Sequence, residues 1–188
     1  FGINGVISGA GSNLVKSGNQ PLVLNGLNTY TGTTTLSASG TLPATGTTFA
    51  GILVGTDVLP NTPGALGNSD TPLLINTSDD TQNIVGVGLS GQVTFARDIV
   101  VQIPSDNHNI SIFNNSILGS EVTGGIGIVG GGTNRITQLQ SITNGRLELN
   151  GPITSSAATV VRVGDNANPA VRAGVVYFGG DANGYSPN

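Results

Sequence analysis

The sequence has no cysteine, no methionine and no tryptophan in its 188 residues. Without cysteine, neither disulfides nor thiolate metal sites can hold the fold. Lysine and glutamate, the staples of exposed helix faces, are reduced to Lys16, Glu121 and Glu148. Charged residues make up 9%, against about 25% in an average globular protein. This composition excludes a helical bundle or coiled coil. The net charge is −4 and the few cations are scattered, so no basic patch exists for nucleic acid or an anionic membrane surface. No apolar run approaches the roughly 18 residues needed to cross a bilayer, so no membrane insertion of this segment is expected. Aromatic residues are only 4%, too few to fill a wide core.

What is abundant is small and polar. Glycine (30), threonine (21), asparagine (20) and serine (16) make up 87 residues. β-Branched residues recur among them, which separates the chain from disordered sequences. Short apolar runs predict strands near Pro21–Asn25, Thr33–Ser37, Gly51–Gly55, Leu73–Asn76, Val93–Ala96 and Ile99–Ile103. Further runs lie near Ile110–Phe113, Gly125–Val129, Arg135–Leu139, Arg146–Leu149, Val160–Val163 and Val175–Phe178. Gly, Asn, Asp, Ser and Pro stand between them, the residues of turns. The nearest approach to a helical period, Ile136, Leu139 and Ile142, stops at Asn144-Gly145. The chain therefore reads as all-β.

Asn-Gly pairs at Asn4, Asn25, Asn144, Asn150 and Asn183 would suit two-residue hairpins, but the runs around them are unequal in length. A β-sandwich subunit is the alternative fold. A right-handed parallel β-helix, or β-solenoid, accounts for more: stacked Val, Ile, Leu and Ala in a narrow core, Gly, Asn and Asp at corners, Thr and Ser outward. No regular repeat is visible, so coil length must vary, with insertions at corners. At roughly 20–25 residues per coil the chain would make about eight coils and a rod of about 40 Å. Each end of a solenoid is an unpaired sheet edge. Residues 1–188 are thus expected to form one continuous segment of a longer repetitive chain, joined to flanking coils or to identical copies end to end.

One stretch is more specific. It reads Leu14-Val15-Lys16-Ser17-Gly18, then Leu22-Val23-Leu24-Asn25-Gly26-Leu27-Asn28-Thr29-Tyr30-Thr31-Gly32-Thr33-Thr34-Thr35-Leu36, then Gly40-Thr41-Leu42. It resembles the autotransporter-associated β-strand repeat, also called the passenger-associated transport repeat. That pattern runs through a Lys-x-Gly turn, a Leu-x-Leu strand, Gly-x-Asn-Thr-Tyr-Thr-Gly, a Thr-rich strand and Gly-Thr-Leu. Gln20-Pro21 and one extra residue before Gly40 depart from it. The resemblance implies a bacterial β-helical passenger domain, exported to the outer surface or beyond, with roles in adhesion and aggregation toward surface glycans or other cells.

The residues themselves carry a structural logic. Leu22 and Leu24 share one face of a strand. Lys16 is expected in a turn beside Ser17-Gly18. Gly26 and Gly32 open tight corners. Asn28 can bond neighbouring backbone or stack on a like residue. Tyr30 is expected to cover a corner with its hydroxyl in water. A looser echo, Phe178-Gly179-Gly180-Asp181-Ala182-Asn183-Gly184-Tyr185-Ser186, places Tyr185 155 positions after Tyr30.

Chemistry-bearing patterns are weaker. A polysaccharide-acting β-helix would need acids gathered on one face; Asp57, Asp70, Asp79, Asp80, Asp98 and Asp106 are dispersed, and adjacent Asp79 and Asp80 would face opposite ways in a strand. His108 lies in a polar turn, Ser105–Asn109. Asp181 and Asn183, and similarly Asp165, Asn166 and Asn168, have the alternating oxygens of a calcium turn but lack the tandem repeat. Gly130-Gly131-Gly132-Thr133 lacks the lysine of a phosphate loop. Thr29, Thr31, Thr33 and Thr35 form a row like those of ice-binding solenoids, but such ladders repeat in every coil and this row is confined to one stretch. Three sequons, beginning at Asn76, Asn109 and Asn114, occur in an Asn/Ser/Thr-rich chain. An isopeptide cross-link would need a buried lysine, and the sole lysine, Lys16, is expected in a turn, which argues against one. The expectation is therefore a non-catalytic structural segment without a cofactor, with a carbohydrate-acting enzyme or binding module, or a filament subunit, as alternatives.

Overall fold

The computed structural model describes residues 1–18, 20–37, 49–76, 84–102, 109–130, 136–141, 144–156, 160–163 and 174–179. These residues contain strands and no helix. In chain order the strands begin with β1 (Gly2–Ile3), β2 (Leu14–Ser17), β3 (Leu22–Leu24), β4 (Thr34–Ser37), β5 (Ile52–Val54) and β6 (Leu73–Asn76). Then come β7 (Ile84–Leu89), β8 (Thr94–Phe95), β9 (Ile99–Gln102), β10 (Asn109–Asn114), β11 (Ser120–Val122) and β12 (Ile126–Val129). The last are β13 (Ile136–Ser141), β14 (Arg146–Leu149), β15 (Ile153–Ser155), β16 (Val160–Val163) and β17 (Val175–Phe178).

Every strand pairing is parallel. Sheet 1 has the order β1-β3-β5-β7-β10-β13-β16, sheet 2 the order β2-β4-β6-β9-β12-β15, and sheet 3 the order β8-β11-β14-β17. The chain visits the sheets in turn, so each strand stacks on the strand of the previous coil. This is a parallel β-solenoid, as the composition predicts; the sandwich alternative would need antiparallel pairing. Sheet 1 has seven strands, against about eight coils expected. The coils are longer than 20–25 residues in places: Val23 pairs with Leu53 and Leu53 with Gly88, steps of 30 and 35.

The core is a set of aliphatic ladders. Leu73, Ile99, Ile126 and Ile153 stack in sheet 2, and so do Leu36, Ile75, Val101 and Ile128. Leu24, Val54 and Leu89 form the matching ladder in sheet 1. All are buried, while alternate residues such as Val23, Leu53 and Leu74 are only half-buried. Each buried Leu or Ile contributes roughly 1.5–3 kcal/mol, and the period of two keeps that contribution in register from coil to coil.

The third face is built in two ways. In the later coils it is sheet 3, where Phe95, Val122 and Leu149 point inward one above another. In the earlier coils the same side is closed by irregular backbone, residues 25–33 and 55–72, with Val58 bridging to Phe95 of β8. The echo at Phe178 does not repeat the placement of Leu24, because Leu24 ends β3 of sheet 1 and Phe178 ends β17 of sheet 3.

Candidate functional site

The segment singled out in the sequence is the middle layer of a stack. Its upper neighbour is Ile7–Asn13. Thr29 N–H donates to Ile7 O at 2.9 Å and Gly32 N–H to Ser12 O at 3.1 Å. Asn13 Oδ1 accepts from Thr33 N–H at 2.8 Å. Its lower neighbour is Gly64–Asn68. Asn28 N–H donates to Gly64 O at 3.0 Å, and Asn68 N–H donates to Tyr30 O at 2.8 Å. The Asn28 side chain spans both contacts. Its Oδ1 accepts from Ile7 N–H and its Nδ2 donates to Ala65 O, each at 2.8 Å. One buried carboxamide thus ties three consecutive coils.

The glycines of the motif serve close approach. A Cβ on Gly26 would lie 2.3 Å from Gly5 O, and one on Gly32 would lie 2.3 Å from Ser12 O. Leu22 and Leu24 are buried and Leu14 is half-buried, as the alternation predicts. Gly18 has φ +76°, a left-handed turn after β2. Thr29 is exposed. Gly40 and Leu42 lie outside the described residues, as do Asp181 and Asn183, the other calcium candidates, Asp79, Asp80, Asp106, His108 and Gly131–Thr133.

Two expectations for this segment are overturned. Tyr30 does not keep a wet hydroxyl: it is 1% exposed, and its hydroxyl bonds Thr34 Oγ1 at 2.7 Å. Residues 64–72 of the next coil cover the corner that Tyr30 was expected to cover. Burial raises the Tyr30 pKa above 10, against smaller lowering effects from Thr34 and the positive charge of Arg97. Lys16 is not in a turn but in β2, and it is buried. Its ammonium donates to Ser17 O and Gly18 O, each at 2.8 Å, and desolvation lowers its pKa.

Arg97 continues the same stack from the following coil and is 1% exposed. Its Nη1 donates to Leu66 O at 2.6 Å and its Nε to Thr71 O at 2.8 Å; Nη2 also reaches Thr71. The guanidinium therefore holds the irregular 64–72 backbone from beneath. Its pKa is lowered by desolvation, against raising effects from Tyr30 and Asp70. Dispersed aspartates have similar duties. Asp57 Oδ1 accepts from Thr94 N–H at 2.9 Å and Asp98 Oδ1 from Gly125 N–H at 2.8 Å. Each is tied to backbone one coil further on.

A second feature was not singled out in the sequence. Sheet 3 presents an outward row of Thr94, Glu121, Glu148 and Tyr177, each paired in register with the next. Beside it lies a groove of about 320 Å³ lined by Gln92, Thr94, Ser120, Glu121, Arg146 and Glu148, among others. Thr94 Oγ1 donates to Glu121 Oε1 at 2.9 Å. Arg146 is ion-paired with Glu148 and lies over the Tyr177 ring, 4.6 Å from its centroid. The chain's two glutamates are therefore neighbours, 27 positions apart and one coil apart. The only available signal was that spacing, which means nothing until the coil length is known.

Among the described residues, no group of three or more His, Cys, Asp or Glu could hold a metal ion. No helix there is long and apolar enough to cross a membrane. The chain matches no family model, no curated protein and no solved structure.

Proposed function

We propose that the chain is a structural, non-catalytic segment of a bacterial cell-surface or secreted protein, serving as a stiff stalk or extracellular fibre in adhesion or aggregation. The observation that carries this reading is the use made of the motif. Asn28, Tyr30 and Asn13 bond neighbouring coils or the interior, and Asn28 and Tyr30 are buried. Parallel coils stacked through backbone bonds and aliphatic ladders gain length without exposing their core. Resemblance of Leu14–Leu42 to the autotransporter-associated repeat supports an exported, surface-displayed setting. Partners on this reading are flanking coils or identical copies, then glycans or other cells beyond them.

The test is the mass of the native polypeptide, by denaturing gel and intact mass spectrometry, on material imaged by electron microscopy. Rods or fibres with a chain mass far above 18.8 kDa are expected. Filaments built from chains near 18.8 kDa would place the same function in stacked subunits. Compact particles of that mass, with neither rod nor filament, would overturn the reading.

A further inference from the structure

Charge is scarce in this chain, and where it falls is informative. Among the described side chains, Lys16 and Arg97 are buried on carbonyls, and Asp57 and Asp98 bond backbone N–H groups. Of the remaining charged residues, Glu121, Arg146 and Glu148 all line the sheet 3 groove, and Asp70 lies elsewhere. The corresponding outward row of sheet 2 is Thr35, Leu74, Val100, Gly127 and Thr154, which carries no charge.

The arrangement also sets two like charges opposite each other, offset by the Arg146 ion pair to Glu148 and the Thr94 bond to Glu121. Like charges directly opposite on paired strands are destabilising. Glu121 and Glu148 occupy such a pair, although threonine would serve the fold at either position. Arg146 engages one carboxylate only. Gly119 widens the groove beside it: a Cβ there would meet nothing nearer than the Arg146 side chain, at 3.8 Å. Two carboxylates are thus held side by side at the groove.

We infer that this groove is a binding site for a neutral glycan lying along the solenoid axis. The carboxylates of Glu121 and Glu148 accept hydrogen bonds from pairs of sugar hydroxyls. Arg146, Gln92 and Thr94 supply donors, a guanidinium giving several in a fixed fork. The row repeats at the inter-strand distance of about 4.8 Å, so a polymer with hydroxyls on every ring meets one row residue at each coil, and a carboxylate at two successive ones. Half-exposed Tyr177 continues the row, and its ring carries the Arg146 guanidinium beside the groove. The groove carries two carboxylates against one guanidinium, which disfavours acidic polymers. Glycan binding here does not depend on the stalk reading, since a compact protein would present the same row.

The test is chemical-shift mapping of the isotope-labelled chain with cellohexaose, maltohexaose and mannohexaose, each at millimolar concentration, with tetragalacturonate and calcium chloride as separate titrants. At least one neutral hexaose is expected to shift the amides of Thr94, Glu121 and Glu148. Glu121→Ala and Glu148→Ala are each expected to weaken that binding by at least about tenfold, because a charge-assisted hydrogen bond is lost. Gln102→Ala, on the exposed face of β9, leaves it unchanged. Because both glutamates are on the surface, their variants are checked for native spectra outside the groove. Shifts from tetragalacturonate or calcium alone would overturn the inference, and so would neutral hexaoses that leave the groove amides unmoved.

Discussion

Replacing Asn28 by alanine tests whether the motif holds the coils together. The side chain is fully buried and makes two bonds of 2.8 Å, accepting from Ile7 N–H and donating to Ala65 O. Asn28→Ala leaves both backbone groups without that partner. Each orphaned group costs about 1–3 kcal/mol, so the loss is about 2–6 kcal/mol. For a chain of this size the corresponding fall in Tm is roughly 4–24 °C. Asn25→Ala is the control, because the Asn25 bond to Asn4 is exposed and water replaces it. Its cost is below about 1 kcal/mol.

Urea unfolding at unchanged m-value gives the two losses. A solenoid's stability is a sum of coil and neighbour terms, so the damage falls on the coils that Asn28 joins. Native-state hydrogen exchange resolves it: the amides of Ile7, Thr29 and Asn68 lose protection, while those of β12 and β14 keep theirs. Asn28→Ala proving no more costly than Asn25→Ala, or protection falling evenly along the rod, would refute the reasoning.

Other perturbations follow from the same geometry. Tyr30 has a raised folded pKa, so the unfolded chain loses its proton first; this stability is complete below pH 10 and declines as pH rises beyond it. Tyr30→Phe is therefore less stable by about 1 kcal/mol near neutrality yet flatter in its urea midpoints above pH 10. Lys16 has a lowered folded pKa and acts oppositely, adding stability as pH climbs toward 10.5, so Lys16→Met steepens the alkaline loss. Arg97→Met strands the carbonyls of Leu66 and Thr71 and costs about 2–5 kcal/mol in the same assay, and Arg97→Lys restores only part because an ammonium lacks the fork. Gly86→Ala would set a Cβ 1.8 Å from Ser111 O and costs about 3 kcal/mol or more, whereas Gly127→Ala meets nothing closer than 3.8 Å and is neutral by thermal melt.

Strands were legible where β-branched residues alternate, and each run read as a strand holds one. The strands that escaped have physical reasons. In β7, Ile84–Leu89, Gly86 and Gly88 look like breakers, but Gly86 lies against the Ser111 backbone and Gly88 makes room for Leu53 and Phe113. Ser120-Glu121-Val122 has little β character of its own; β8 and β14 pair it from both sides. In β2 the lysine suggested a turn, because burial of its stem could not be read from composition. The structural role of Asn28 was legible, since an asparagine between the corner glycines Gly26 and Gly32 can bond neighbouring backbone. The burial of Tyr30 was not, because it depends on residues 64–72, which belong to an unusually long coil.

The two halves of the third face differ in strand content: sheet 3 begins at β8, and the coils before it close that side without a strand. The step from β5 to β7 adds residues 55–72, which have no strand of their own and need side-chain ties from Asn28, Asp57 and Arg97. The ladder Leu24–Val54–Leu89 stays in register across that insertion, so the core does not sense it. From β8 onward the steps shorten: Phe113 pairs with Gln140, and Gln138 with Arg162, 27 and 24 residues on. There the third face becomes a regular sheet, and on this face side chains from successive coils line up outward in one row. The polar groove therefore begins at Thr94, where irregular backbone gives way to sheet 3, and its two glutamates become neighbours through a register set by the aliphatic ladders beneath them.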